Sequence, residues 1–320
     1  MWGWFRRRAR VRAARAHLAG VASAEAARAD TASAEKAAAE DGVGSAAPEL
    51  EQALAVPADS GAAAFFDVDN TMMRGASIYW LARGLAARNY FTTQDLMRFG
   101  WQQLKFRLLA SEDAGDMAAA RQAALAFIAG RRADEMEELS ESVYDELMEE
   151  RIWSGTRALA QLHLDAGQRV WLVTAAPVEV ARLIARRLGL TGALGTVAEV
   201  DDGVYTGHLI GDLLHGQAKS EAVKALAAQE GLDLSRCSAY SDSFNDLPML
   251  TTVGNAIAVN PDSDLRREAK RRGWEIRDFR TGRKAAKVAV PGVVGAGAVA
   301  GAVVGALALR RRRRGGRLTR

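Results

Sequence analysis

A single cysteine, Cys237, excludes an intramolecular disulfide and any cysteine-rich metal site. Its flanks, Arg236 to Tyr240, read as a strand, where a cysteine serves as a small buried apolar residue. The four histidines show no ligand-like spacing, so a histidine metal centre is not expected. No apolar run of the secretory type follows the first arginines. Basic residues crowd the two ends, Arg6 to Arg15 and Arg310 to Arg314, and the middle carries mixed charge without a basic stripe. No nucleic-acid-binding module is therefore expected.

What is present divides into five stretches. Residues 1–60 are rich in Ala, Glu, Arg and Ser and lack a sustained apolar face, so they read as a mobile extension. Its first turns, with Trp2, Trp4 and Phe5 beside the arginines, read as a solvated tail; the alternative is a basic helix lying on an anionic membrane. Residues 61–76 and 153–282 form a core of short apolar runs alternating with helical patterns. Ala62 to Phe66, Arg169 to Val173, Cys237 to Tyr240 and Ala256 to Val259 lack polar alternation, as strands buried on both faces do. Between them, Val180, Leu183, Ile184 and Leu188, and then Ala222, Val223 and Leu226, are spaced for buried helix faces. This alternation predicts an α/β fold, a Rossmann-like doubly wound parallel sheet.

Residues 77–152 show helical periodicity without strand signals and predict a helical cap inserted after the first strand. Its aromatic residues, Tyr79 and Trp80 among them, read as core. Residues 196–210 predict two strands turning at Asp201-Asp202-Gly203. Val288 to Leu309 is a run of 22 residues without a charge, long enough for a single-pass transmembrane helix, followed by a basic tail over 310–320. Gly297, Gly301 and Gly305 recur every four residues and would permit a homodimer through that span. The folded domain ahead of the span is expected on the cytoplasmic side.

Polar residues stand where the apolar strands end, which is where doubly wound sheets bind ligands. They are Asp67-Val68-Asp69-Asn70-Thr71, then Thr174, Lys219, and Ser241-Asp242-Ser243-Phe244-Asn245-Asp246. Taken singly, Asp242 and Asp246 could merely cap a helix, and Lys219 could be a surface lysine with Lys224 as a rival. In this order they resemble the four motifs of the haloacid dehalogenase superfamily of phosphatases, in the branch containing phosphoserine phosphatase.

That resemblance implies an Mg²⁺-dependent phosphomonoesterase acting through an aspartyl phosphate on a small phosphorylated substrate. Asp67 would be the nucleophile and Asp69 the acid and base. Thr71, Thr174 and Lys219 would bind phosphate, and Lys219 would also restrain the nucleophile. Asp67, Asp242 and the backbone carbonyl of Asp69 would hold the metal, and Asn245 and Asp246 would support them. Asp246 would either hold a metal-bound water or orient Lys219. The chain departs from the pattern at Asn70 and Ser241, where relatives often carry glycine. It also lacks a carboxylate soon after Thr71, where serine-specific relatives hold the substrate ammonium; Arg74 and Arg83 could recognise an anionic group instead. A phospholipid precursor is the alternative substrate, and an inactive membrane scaffold is the alternative of another class.

Overall fold

The computed structural model describes residues 2–38, 58–88, 90 and 129–280, with side chains of the first stretch from Ala9 to Thr31. The chain forms one unit over Met1–Arg277 and another over Asp278–Arg320, of which only the first three residues are described. The expected span over 288–309 and the tail over 310–320 lie outside the described residues. Among the described residues no helix is long and apolar enough to cross a membrane.

The elements in order are α1 (Trp2–Ala38), β1 (Ala63–Asp67), α2 (Ser77–Ala87), α3 (Ala133–Val143), α4 (Ser154–Asp165), β2 (Arg169–Pro177), α5 (Val178–Arg187), β3 (Gly192–Thr196), β4 (Ala198–Asp201), β5 (Val204–Leu209), α6 (Gln217–Glu230), β6 (Ser238–Ser241), α7 (Leu247–Leu250), β7 (Asn255–Val259), α8 (Ser263–Arg272) and β8 (Glu275–Arg277). Six strands form a parallel sheet in the order β3-β2-β1-β6-β7-β8. The chain leaves β1 toward β2 and β3, then crosses back to β6 on the other side. β1 therefore borders the switch point at which such sheets open a ligand crevice. Its Phe65 and Phe66 are fully buried, as a central strand covered on both faces requires. Cys237, just ahead of β6, is buried and accepts a hydrogen bond through Sγ from the Ala63 amide at 3.3 Å.

Strand β3 escapes the sequence reading because Gly192-Ala193-Leu194-Gly195-Thr196 has weak strand propensity. Its glycines answer to packing: a Cβ at Gly192 would lie 2.6 Å from the Trp171 ring, and one at Gly195 would lie 2.6 Å from Val178 Cα. The β4–β5 hairpin turns as expected, with Asp202 (φ 47°) and Gly203 (φ 75°) both left-handed.

The reading of residues 1–60 as a mobile extension is corrected over α1. Ala16, Ala19, Gly20, Ser23, Ala24 and Ala27 are buried. Small side chains let α1 come close: a Cβ on Gly20 would lie 2.7 Å from the Ala222 amide of α6. Ser23 Oγ accepts from the Gly195 amide at 2.9 Å, satisfying a donor on edge strand β3. Arg182 donates to the Ala26 carbonyl from α5.

The cap is helical where described. The chain's two crossings into it run side by side, the Arg74 amide donating to the Arg151 carbonyl at 2.8 Å and the Trp153 amide to the Met72 carbonyl at 2.9 Å. The cap also grips the hairpin, through Gly130 N to Tyr205 O at 2.8 Å and Ala133 N to Gly203 O at 2.9 Å. Tyr79 corrects the core assignment of the cap aromatics, being 56% exposed. Trp80 is partly buried, with the Arg151 guanidinium 3.4 Å from its ring centre.

Candidate active site

Asp67 ends β1 and is buried among the carboxyl ends of the sheet. Register places it opposite Val173, so Thr174 follows directly on the neighbouring strand, while β6 delivers Ser241 and then Asp242 on the other side. Lys219 comes from the first turn of α6. Its Nζ donates to Asp67 Oδ1 at 2.5 Å and to Asp246 Oδ2 at 2.8 Å, with all three side chains buried. Lys224, the rival lysine, instead pairs with Glu221 on the exposed face of α6.

The charge balance is negative. Burial raises the pKa of Asp67 well above the usual carboxylate range; Lys219 opposes this, and Asp246, Asp242 and Asp69 add to it. Asp242 is pushed up to about 7 by burial and then by Asp246. Burial works against the charge on Lys219, yet Asp246 and Asp67 outweigh it and hold the ammonium protonated.

Asp69 lies past the strand end, partly exposed, and its Oδ1 accepts from the Ser77 amide at the start of α2 at 2.8 Å. The first turn of the cap thus orients one of the two carboxylates. Asn70 adopts φ 62°, a left-handed conformation that asparagine tolerates, and its Oδ1 accepts from the Gly75 amide at 3.1 Å. Ser241, the second departure, donates from Oγ to Asp246 Oδ2 at 2.7 Å and accepts from the Ser243 amide at 3.1 Å. Both residues therefore supply side-chain bonds that glycine could not.

Thr174 is buried, and its Oγ1 accepts from the Ala176 amide at 3.1 Å, which leaves the hydroxyl proton for another acceptor. Thr71 is fully buried, and its hydroxyl lies 3.4 Å from Asp242 Oδ1. Asn245 is exposed in a short turn, its amide donating to Ser243 Oγ at 3.2 Å. Asp246, for which two roles were expected, is hydrogen-bonded to Lys219. Arg74 is committed to the carbonyls of Glu150 and Arg151, and Arg83 lies 5.6 Å from the Trp80 ring centre.

Two contributors went unnoticed in the sequence. Asp262 donates its amide to the Asp242 carbonyl at 2.8 Å and accepts from the Phe244 amide at 2.9 Å, bracing the loop after β6. Asn260, buried with φ 49°, donates from Nδ2 to the Asn70 carbonyl at 3.4 Å. The signal was there in Asn260-Pro261-Asp262, two polar residues around a proline directly after a buried strand.

Among the described residues no three His, Cys, Asp or Glu side chains form a metal cage. Two carboxylates, Asp67 and Asp242, offer hard oxygen donors at a point of surplus negative charge, and the resemblance adds the Asp69 carbonyl to them. Mg²⁺ suits such a partial set, because it keeps waters and shares phosphate oxygens.

Fold and charge arrangement are those of an enzyme that handles phosphate esters. Comparison with known proteins agrees. The model of the haloacid dehalogenase-like hydrolases matches residues 64–251. The phosphoserine phosphatase SerB1 of Mycobacterium tuberculosis is 58% identical over 258 residues, covering 81% of this chain and 83% of that protein. A histidinol-phosphatase of Neisseria meningitidis is 30% identical, covering 68% of this chain and 98% of that one. A solved protein of unknown function from Bordetella pertussis superposes with a TM-score of 0.61 at 28% identity, covering 69% and 99% of the two chains. The chain belongs to the haloacid dehalogenase-like hydrolases, and it is a phosphoric monoester hydrolase.

Proposed function

We propose that this chain hydrolyses a small phosphate monoester of the phosphoserine type in two steps at Asp67. The observation that carries the reading is the Lys219 bridge between Asp67 and Asp246, 2.5 and 2.8 Å long, beside a threonine hydroxyl at the carboxyl ends of parallel strands. In the first step an Asp67 carboxylate oxygen attacks phosphorus and the bond to the ester oxygen breaks. Asp69 gives the departing alkoxide a proton. In the second step water attacks phosphorus, Asp69 takes its proton, and the phosphorus–Asp67 bond breaks to release inorganic phosphate. Thr174 donates to a phosphoryl oxygen, and Lys219 neutralises charge while fixing the Asp67 rotamer.

Asp67, Asp242 and the Asp69 carbonyl would hold Mg²⁺, which supplies charge neutralisation at the phosphoryl oxygens when bound. Amino-phosphate substrates are supported by relatives named for phosphoserine and histidinol phosphate. The commitment of Arg74 to backbone carbonyls argues against that residue as the reader of a second anionic group.

The test is phosphate release from phosphoserine, histidinol phosphate, a lysophospholipid phosphate and a chromogenic ester, with Mg²⁺ or EDTA. Turnover that needs the metal, vanishes in Asp67→Asn and favours an amino-phosphate is expected. Preference for the lipid ester would replace the substrate assignment, and metal-independent turnover would overturn the cation site.

A further inference from the structure

Helix α1 outruns the body on which it packs. Its buried positions run from Ala16 to Ala27, whereas every residue from Ala9 to Arg15 is exposed, including Val11. At 1.5 Å per residue, Ala9 to Arg15 extends about 10 Å beyond the packed part. The helix carries Arg6, Arg7, Arg8, Arg10, Arg12 and Arg15 ahead of its first buried position, Ala16, and the first acidic residue of the sequence is Glu25. Arg10, Arg12 and Arg15 have no carboxylate partner among the described residues.

The projecting part also keeps a line of apolar positions. Buried Ala16, Gly20, Ser23 and Ala27 recur three and four residues apart, as one helix face does. Carried backward, the same spacing selects Ala13, Ala9, Phe5 and Trp2. The line that serves packing thus runs past the core and ends in two aromatic residues. At 100° per residue, Arg6 and Arg10 fall on one flank of that line and Arg8 and Arg12 on the other.

We propose that residues 2–15 of α1 dock on an anionic lipid surface. Guanidinium groups on both flanks suit headgroup phosphates, and aromatic residues on the line between them suit the boundary with the acyl chains. A nucleic-acid backbone would use the arginines but give the aromatic end no apolar phase to enter, so the lipid surface is the better match.

The experiment uses the full chain, sedimented with vesicles of phosphatidylcholine alone or with about a third phosphatidylglycerol. The wild type is compared with a variant carrying Arg6→Gln, Arg7→Gln, Arg8→Gln and Arg10→Gln, and with one carrying Trp2→Ala and Phe5→Ala. Any binding through residues 288–309 would be common to all three proteins and would register on neutral vesicles. The wild type is expected to favour anionic vesicles by at least about tenfold at low salt. That preference should disappear in the arginine variant, while the aromatic variant should bind more weakly yet keep its salt dependence. Unchanged helicity and phosphate release would show both variants folded. Equal wild-type binding to both vesicles, or an arginine variant that binds like the wild type, would overturn the proposal. So would a labelled oligonucleotide that binds more tightly than the vesicles and displaces them.

Discussion

Lys219 and Asp246 lie 27 positions apart in sequence and on different elements, yet their side chains meet at 2.8 Å in the interior. Asp246 is held from a second side by Ser241 Oγ at 2.7 Å, so the lysine is aimed by a partner that is itself fixed. Lys219→Met should therefore lower kcat by about two to three orders of magnitude, the usual cost of one electrostatic stabiliser. It should also destabilise the fold by about 3–5 kcal/mol by leaving Asp67 and Asp246 buried without their cation. Steady-state kinetics and urea unfolding on one preparation check both parts.

Asp69 takes its orientation from the Ser77 amide, a donor that proline lacks. Asp69→Asn should cost about 10²–10⁴ in kcat/KM, which reports the first step alone, on an alkyl phosphate. The loss should be smaller on a nitrophenyl phosphate, whose leaving group needs no proton. Equal losses on both substrates would remove Asp69 from the role of acid.

His163 is buried, with Nδ1 2.7 Å from Gln168 and Nε2 2.7 Å from the Tyr240 hydroxyl. Burial lowers its pKa below the ordinary 6.5, so the folded state disfavours the imidazolium. Below that ordinary value the unfolded chain binds the proton first, so the contribution of His163 to stability is full above about pH 6.5 and falls as pH drops toward the folded value. Asp242, raised to about 7, titrates in the same window with the opposite sign, so the quantity to follow is the difference between two proteins: from about pH 7.5 to 5 the unfolding midpoint of the wild type should fall relative to that of His163→Asn.

Ser23 reaches from α1 to the Gly195 amide on the edge of the sheet. Ser23→Ala should cost about 1–3 kcal/mol, because that amide would then lie buried without an acceptor. A solvated tail would show a change within about 0.5 kcal/mol, so chemical unfolding separates the two descriptions.

The sequence made the sheet legible wherever a strand was apolar throughout and closed on a carboxylate or hydroxyl. Ala63 to Asp67 and Ser238 to Asp242 were visible because burial on both faces leaves no polar alternation. The reach of Lys219 to both carboxylates could be expected from the resemblance but not measured, since it depends on how α6 sits over β1 and β6. The packing of α1 was hidden because it uses alanine, glycine and serine. Their small volume permits close approach but gives no hydrophobic contrast with an alanine-rich exposed face. Edge strand β3 was hidden for a related reason, its glycines answering to Trp171 and Val178 rather than to strand propensity.

The paired crossings at Met72–Arg74 and Arg151–Trp153 have an evolutionary corollary. An insert whose two ends are hydrogen-bonded to each other closes its own loop, and the free-energy cost of lengthening or replacing it grows only slowly with its size. Lineages could therefore exchange the residues between these ends without moving Asp67, Lys219 or Asp242. Selection for a new phosphate ester would act on the exchangeable part, and the reaction itself would be inherited unchanged.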